Sequence, residues 1–141
     1  MKPKKRRVKV GNVHAIPLPN NKYAFGKVYK DGCIGIYKQI GNSIDDVPKD
    51  EEFNFIVGVY QDILKSGKWP LVAFKEFPSE DAAWPPKMCV IDTISNTYSI
   101  YFKGEFYPAT HEECKNLELA AAWDEEHIID RILGSNRWNN G

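Results

Sequence analysis

The two neighbouring side chains best suited to chemistry are His111 and Cys114, an imidazole and a thiol three positions apart. At that spacing in a helical turn both side chains lie on one face, so both could reach one ligand. A zinc site needs four ligands, and no Cys-x-x-Cys pair supplies the other two. We therefore predict no metal site, and interpret the pair as a polar helix end and a buried thiol.

The composition permits nucleophilic catalysis, because one of the three cysteines and one of the three histidines could meet in space as a Cys/His pair. Cys33 and Cys89 fall in predicted strands, however, where a free cysteine usually acts as a small hydrophobic residue. The acid pairs at 45–46 and 112–113 fit a loop and a helix start better than acid–base catalysis. The glycines match no phosphate-binding pattern. We predict no catalytic residue and no cofactor, and rank a small Cys/His hydrolase last.

Acidic and aromatic residues in a loop and at a helix start indicate binding instead. Trp84 lies in a proline-rich loop just after two acids, and we expect it to be exposed. Trp69 and Trp123 are flanked by core-like segments and are interpreted as packing residues. Further acids precede the last predicted helix. The predicted partner-binding residues are Glu80, Asp81, Trp84, Asp124, Glu125 and Glu126.

Charge is unevenly distributed along a chain whose formal net charge is zero. The first ten residues carry six lysines and arginines and no acid, whereas the rest carry 13 basic and 19 acidic residues, a net charge of −6. An acidic body suits a basic partner, because complementary fields raise association rates. The basic arm at 1–7 supports a rival function, because such clusters serve in nuclear import or bind nucleic acid. No aromatic stacking platform adjoins it, so nucleic acid is not expected as a partner.

Length and composition fit one globular domain. The 141 residues are 43% hydrophobic, enough for a packed core. No apolar run approaches the roughly 20 residues needed to span a membrane, and no apolar segment follows the basic N-terminus as in a secretory signal. We therefore expect a cytoplasmic protein with reduced cysteines and no membrane partner. We assign a basic flexible arm to residues 1–7, a single globular domain to 8–134 and a loose tail to 135–141.

Most of the domain alternates in hydrophobicity with the two-residue period of strands. The clearest signal is a hairpin of strands 11–18 and 23–28 around Pro19, Asn20 and Asn21. The other predicted strands are 33–40, 53–59, 71–77, 88–92, 97–102 and 105–107. One helical turn is predicted at 61–66. The predicted fold is a β-rich α+β domain, with a bent antiparallel sheet or partial barrel and short helices at the C-terminus.

The C-terminal helices are predicted from their capping residues. Thr110 and Glu113 form a capping-box pattern, and Asp124 can cap a second helix that Gly134 ends. On that last helix we expect Arg131 to pair with Glu126 or His127. In the strand at 97–102, the even-numbered and odd-numbered side chains lie on opposite faces, one a core face and the other a candidate surface.

Three segments of the sequence resemble the immunity protein 26 family of bacterial polymorphic toxin systems. The first is the hairpin, which reads Val-His-Ala-Ile-Pro-Leu from Val13 and Tyr-Ala-Phe-Gly-Lys-Val from Tyr23. The second is Gly-Lys-Trp-Pro-Leu-Val from Gly67, and the third is a C-terminal pattern spread over 117–132. Together the matches span about residues 8 to 133. The resemblance implies a small cytosolic protein that binds and neutralises a partner toxin; no site residues follow from it.

The sequence supports two classes of function. The first is a non-enzymatic immunity protein that binds a cognate toxin C-terminal domain, basic and directed at nucleic acid, as a monomer in a 1:1 complex. The alternative is a nucleic-acid-associated β domain that uses the basic arm.

Overall fold

The computed structural model describes residues 8–134, so the arm predicted at 1–7 and the tail predicted at 135–141, with Trp138, lie outside the described residues. Two sheets form the domain. The first sheet has the strand order β10-β4-β3-β2-β1-β5, and the second has the order β8-β7-β6-β9. The strands are β1 Asn12–Leu18, β2 Lys22–Val28, β3 Cys33–Tyr37, β4 Phe53–Val59, β5 Leu71–Phe74, β6 Met88–Asp92, β7 Thr97–Phe102, β8 Glu105–Ala109, β9 Glu118–Leu119 and β10 Ala122–Trp123.

Three short helices accompany the sheets: α1 Gln61–Ser66, α2 His111–Cys114 and α3 Glu125–Leu133. The predicted caps are confirmed. Thr110 and Glu113 form the reciprocal capping box of α2, and the Asp124 carboxylate accepts the N–H of His127 at the start of α3. Helix α3 ends at Gly134 in the left-handed conformation that glycine favours (φ 70°). None of the described helices is long and apolar enough to cross a membrane.

The predicted first hairpin is confirmed, with β1 and β2 antiparallel and Val13 opposite Lys27. Its turn spans Pro19–Asn21, and Asn20 and Asn21 take positive φ angles, a conformation that asparagine tolerates. The strands are buried on both faces: Ile16 contributes to one core cluster, whereas Val13 and Ala15 contribute to another. The alternation therefore divides the hairpin between two cores.

The first sheet lies between those two clusters. Its Ile16 side packs with Leu64 of α1, with Trp69 and with Ile128 of α3. The opposite side is covered by the loop between β3 and β4, through Ile44 and Val47. Packing on both sides explains why nearly every residue of β1 to β3 is buried.

Two of the motifs that carry the family resemblance touch each other inside the first sheet. The His14 Nδ1–H donates to the carbonyl of Trp69 at 2.7 Å, and the Ala15 N–H donates to the carbonyl of Pro70 at 2.8 Å. Trp69 is only 1% exposed, as its interpretation as a packing residue requires. The hairpin and the Gly-Lys-Trp-Pro segment therefore form one structural unit of the scaffold.

The second sheet was predicted as a hairpin with a short third strand, and β6, β7 and β8 confirm it. Lys103 and Gly104 join β7 to β8 with positive φ at both positions, as a tight two-residue turn requires. The side of this sheet that carries Cys89 is crossed by α2, since the Cys114 thiol donates to the carbonyl of Ser99. Met88 lies on the other side and packs with Tyr29, which follows β2, and with Cys33 of β3.

One short segment belongs to both sheets and was missed by the sequence analysis. Strand β9 pairs in parallel with β6, and two residues later β10 pairs in parallel with β4. The close approach of this segment depends on Gly58, where a Cβ would meet the carbonyl oxygen of Ala121 at 2.5 Å. Residues 118–123 thus hold the two sheets together.

The predicted β-rich α+β class with helix at the C-terminus is confirmed, and two details differ. The strands form two sheets with parallel edge pairs in place of a single antiparallel sheet. Strands β3 and β5 end at Tyr37 and Phe74, three residues earlier than predicted, while β8 extends to Ala109.

Candidate functional site

The three cysteines are buried and form no disulfide. Burial, reinforced by the negative charge of Asp31, raises the pKa of the Cys33 thiol to about 11. Burial and the neighbouring Cys114 also raise the pKa of Cys89. Both thiols therefore stay protonated near neutral pH, which argues against a thiolate nucleophile at either position.

The pair His111 and Cys114 does not converge on a ligand. His111 is exposed and packs edge-on against Tyr98 with ring centroids 5.4 Å apart, whereas Cys114 is buried against β7. Among residues 8–134, no three His, Cys, Asp or Glu side chains are grouped closely enough to hold a metal ion.

A partly buried charged cluster that the sequence analysis missed lies on the loop-covered side of the first sheet. Lys27 is 1% exposed; its ammonium donates to Glu51 and lies 3.8 Å from the ring centroid of Phe77. The Tyr37 hydroxyl donates to the other Glu51 oxygen at 2.5 Å, and the Lys75 ammonium lies 3.8 Å from that oxygen. The cluster therefore fastens the β3–β4 loop to the sheet.

Protonation in this cluster follows from burial and hydrogen bonding. Burial would raise the pKa of Glu51, but hydrogen bonds from Lys27 and Tyr37 and the charges of Lys27 and Lys75 together lower it. Burial, with the Glu51 charge, raises the pKa of Tyr29 to about 12, and the same causes raise that of Tyr37. The carboxylate is thus held ionised and the phenols neutral, as a structural ion cluster requires. A lysine within an apolar strand, which needs a buried partner, was the available signal.

The predicted loop residues lie together, but they are not free. Glu80 accepts from Lys30 at 2.6 Å, and Asp81 accepts from Lys103 at 2.9 Å. The hydrogen bond from Lys30 lowers the pKa of Glu80. Trp84 is half-buried, and the Lys30 ammonium lies 5.0 Å from its ring centroid. The loop is thereby fastened to the β2–β3 and β7–β8 turns.

The acidic residues predicted at the helix start lie away from this loop, at the start of α3. Asp124 caps α3, Glu125 pairs with Lys68 at 3.1 Å, and Glu126 is exposed. Arg131, expected to pair within α3, instead makes a two-pronged pair with Glu118 of β9 and lies 4.1 Å from the ring centroid of Phe55. A partner distant in sequence outweighs the helix neighbours because this pair is partly buried and bidentate.

A cleft of about 360 Å³ opens between the two sheets. One wall comes from the first sheet and its β2–β3 turn, and the other comes from β6, β7 and the loop that carries Trp84. The segment that bridges the sheets lines it with alanines. The residues lining the cleft are Asp31, Gly32, Cys33, Gly58, Val59, Pro85, Pro86, Met88, Tyr101, Phe102, Lys103, Ala120, Ala121 and Ala122.

The second sheet exposes large apolar side chains on both faces. It and its turns hold five of the ten such residues among the described ones: Ile91, Ile94, Phe106, Tyr107 and Leu119. Phe106 and Tyr107 are neighbours on β8 and lie on opposite faces of the sheet. Phe106 is 66% exposed and packs on Tyr101, which lines the cleft, so it lies on the cleft side. Tyr107, 47% exposed, lies on the side that α2 crosses.

The free edge of β8 resists pairing with another strand. The two-residue turn makes Phe102 and Glu105 a hydrogen-bonded pair, so the register turns the backbone polar groups of Phe106 and Pro108 away from β7. Proline has no N–H, which removes one of the two outward donors. A proline at this position is a common protection of edge strands, and it favours contact through the sheet's face.

This small α+β domain has a net negative charge and exposed aromatic residues. Such a surface is typical of a protein that binds other proteins. Comparison with protein families supports this class and specifies it, since a family model described as Immunity protein 26 matches residues 9–100. The chain belongs to the immunity protein 26 family, as the resemblance implied. Comparisons with curated proteins and with solved structures found no match.

Proposed function

We propose that this immunity protein neutralises a cognate toxin domain by binding it through the cleft side of the second sheet. The observation that carries the proposal is Phe106, an aromatic side chain 66% exposed on the edge strand β8 and packed on Tyr101 beside the cleft. Aromatic side chains of this kind form the centres of protein interfaces, because they bury much area at small entropic cost.

The net charge of the domain indicates what kind of partner this surface would bind. Residues 8–134 carry 13 basic and 19 acidic side chains, so the domain is acidic. The predicted binding residues would form the rim of this interface, with Glu80, Asp81 and Trp84 on the loop and Asp124, Glu125 and Glu126 at the start of α3, which follows the alanines of the cleft. A basic toxin domain, of the kind that attacks nucleic acid, would be attracted by this field and oriented by the rim.

Membership of the family supports a physiological setting for this proposal. The immunity protein would act in the cytoplasm of the producing bacterium, within a polymorphic toxin or contact-dependent inhibition system. One monomer would bind one toxin C-terminal domain and block its active site or its substrate path. Binding alone would suffice for this, without cofactor or catalysis.

Substitutions of the neighbouring β8 residues Phe106 and Tyr107 test this interface. The partner for the assay is the toxin domain encoded beside the chain's gene, and binding is measured by surface plasmon resonance. We expect Phe106→Ala to speed dissociation by roughly 30-fold, a loss of about 2 kcal/mol as for an interface anchor. Tyr107→Ala, on the other face, and Phe74→Ala, 49% exposed at the edge of the first sheet, are the controls. An effect of Tyr107→Ala alone would move the interface to the side that α2 crosses.

The nucleic-acid alternative rests on the basic arm at residues 1–7. We expect deletion of these residues to leave both folding and toxin neutralisation intact, because the arm precedes the first strand of the domain. Loss of protection in cells by a deletion variant that still folds would bring the nucleic-acid function to the front.

A further inference from the structure

We propose that the cleft between the two sheets is a socket for one arginine side chain of the partner. This rests on the proposed function for the identity of the partner, but the socket itself can be tested without a toxin.

The cleft is large enough to admit a long side chain. Its volume of about 360 Å³ lies within the range of roughly 300–1,000 Å³ typical of ligand pockets. Gly32, Gly58 and the alanines of the bridging segment keep it open, since none of them fills it with a long side chain. The close contact at Gly58 fixes the position of that segment, so the cleft is formed before any partner binds.

Aromatic rings and aliphatic groups line the walls. Tyr101 and Phe102 come from β7, while Val59 and Met88 come from the two sheets. The methylene stem of an arginine can pack on such walls, and its planar guanidinium group can stack on a ring.

The charge at the cleft points to a cation. Asp31 lines the cleft from the β2–β3 turn, close enough to Tyr101 to raise the pKa of its hydroxyl. The hydroxyl is neutral and Asp31 forms no ion pair with the described residues, so its negative charge is left uncompensated. Lys103 also lines the cleft, but its ammonium pairs with Asp81 at 2.9 Å. The carboxylate is therefore the charge offered to an entering side chain, and guanidinium is its best-matched partner.

Arginine is favoured over lysine by the same geometry. The carboxylate of Asp31 can receive two parallel N–H groups from guanidinium, whereas ammonium acts as a compact, strongly hydrated charge. A basic toxin domain would present such a side chain at its surface, next to the apolar area covered by Phe106.

The direct test titrates the protein alone with N-acetyl-arginine-N-methylamide and follows backbone amides by ¹H–¹⁵N NMR. We expect saturable shifts at Gly32, Gly58, Ala120, Ala121 and Ala122, with millimolar affinity. The citrulline analogue, in which a neutral urea replaces guanidinium, is the matched ligand and should cause shifts at least several-fold weaker. Equal shifts with citrulline, no saturable shifts with arginine, or stronger shifts with N-acetyl-aspartate-N-methylamide would each overturn the socket.

The matched variants are Asp31→Asn and Asp45→Asn. Asp31 has a φ of 64°, a conformation that asparagine also accepts, so the first substitution removes the charge without disturbing the turn. We expect Asp31→Asn to abolish the arginine shifts and to weaken toxin binding at least ~10-fold. Asp45→Asn, in the exposed β3–β4 loop, should change neither. Unchanged shifts and affinity in Asp31→Asn would contradict the proposal.

The two proposals fail separately. If the arginine probe does not bind while Phe106→Ala still weakens toxin binding, the interface stands and the socket is wrong. If the probe binds in the cleft but neither Phe106→Ala nor Asp31→Asn changes toxin affinity, the cleft binds guanidinium and the proposed interface is wrong.

Discussion

The two sheets of this domain differ in what covers them. In the first sheet, β1 to β3 are buried on both faces between two apolar clusters. In the second sheet, β7 is largely half-buried and β8 is exposed along four of its five residues. A strand packed on both faces can only support the fold, whereas a strand with a bare aromatic face can bind a partner.

The family match covers more of the first sheet than of the second. It covers residues 9–100, which include every strand of the first sheet except β10, and it ends within β7. Phe106, the α2 crossing and the alanines of the cleft lie beyond it. An immunity protein needs a common scaffold and a surface specific to its own toxin; in the proposed interface, the first sheet would be the scaffold and the second sheet the specific surface.

Two isoleucines, one in each sheet, should differ most in their contribution to stability. Ile36 is fully buried in the first sheet, while Ile91 of the second sheet is 42% exposed. We expect Ile36→Ala to lower the free energy of unfolding by about 2–5 kcal/mol, and Ile91→Ala to lower it by less than about 1 kcal/mol. Urea denaturation measures both. Equal losses would mean that the second sheet is as much a part of the core as the first.

The charged cluster of the first sheet should affect stability and not binding. Lys27→Met removes the hydrogen bond to Glu51 and the contact with Phe77, and we expect a loss of about 1–2 kcal/mol in the free energy of unfolding. Toxin affinity should not change. A large loss of affinity with little loss of stability would make the cluster part of the binding site.

The same cluster predicts a pH dependence. Because folding lowers the pKa of Glu51, its contribution to stability is complete above the ordinary glutamate pKa of about 4.5 and is lost as the pH falls through the lowered folded value. Stability curves at pH 7 and below should therefore decline less in Glu51→Gln than in the wild-type protein. Parallel declines would show that Glu51 is not held ionised by Lys27.

Reversing the charge of the acidic rim should have only a modest effect on toxin binding. Reversing charge at Asp81, Glu125 and Glu126 with lysine should slow toxin association several-fold and flatten its salt dependence, with little change in dissociation. Stability should change little, since surface ion pairs contribute about 0–1 kcal/mol each. A control with the same change in net charge reverses Asp45, Asp50 and Glu52 in the exposed β3–β4 loop. Equal slowing by both triples would mean that net charge alone, and not this rim, attracts the toxin.

The sequence predicted the elements whose signals are local. Alternating hydrophobicity located the strands from β1 to β8, and capping residues located α2 and α3. The burial of Trp69 also followed from its apolar neighbours. These features depend on residues within a few positions of one another.

Features that depend on distant contacts were not predicted. Strands β9 and β10 have two residues each and exist only because β6 and β4 pair with them in parallel. Lys27 lies within an apolar strand, but the sequence does not show that Glu51, 24 positions away, is its partner. For the same reason Trp84 was expected to be open, although Lys30 folds over it. Phe106 was not among the predicted binding residues, since its exposure depends on what packs against β8.

Amide hydrogen exchange of the chain, free and bound to its toxin domain, tests most directly whether the second sheet is the docking surface. The N–H of Phe106 points away from β7 at the free edge, so it should exchange quickly in the free protein. We expect toxin binding to slow exchange at Phe106, in the β7–β8 turn and at Ala120–122, and to leave the exposed edge strand Leu71–Phe74 unchanged. Protection confined to Leu71–Phe74 and the β3–β4 loop, with none on the second sheet, would contradict the proposed interface.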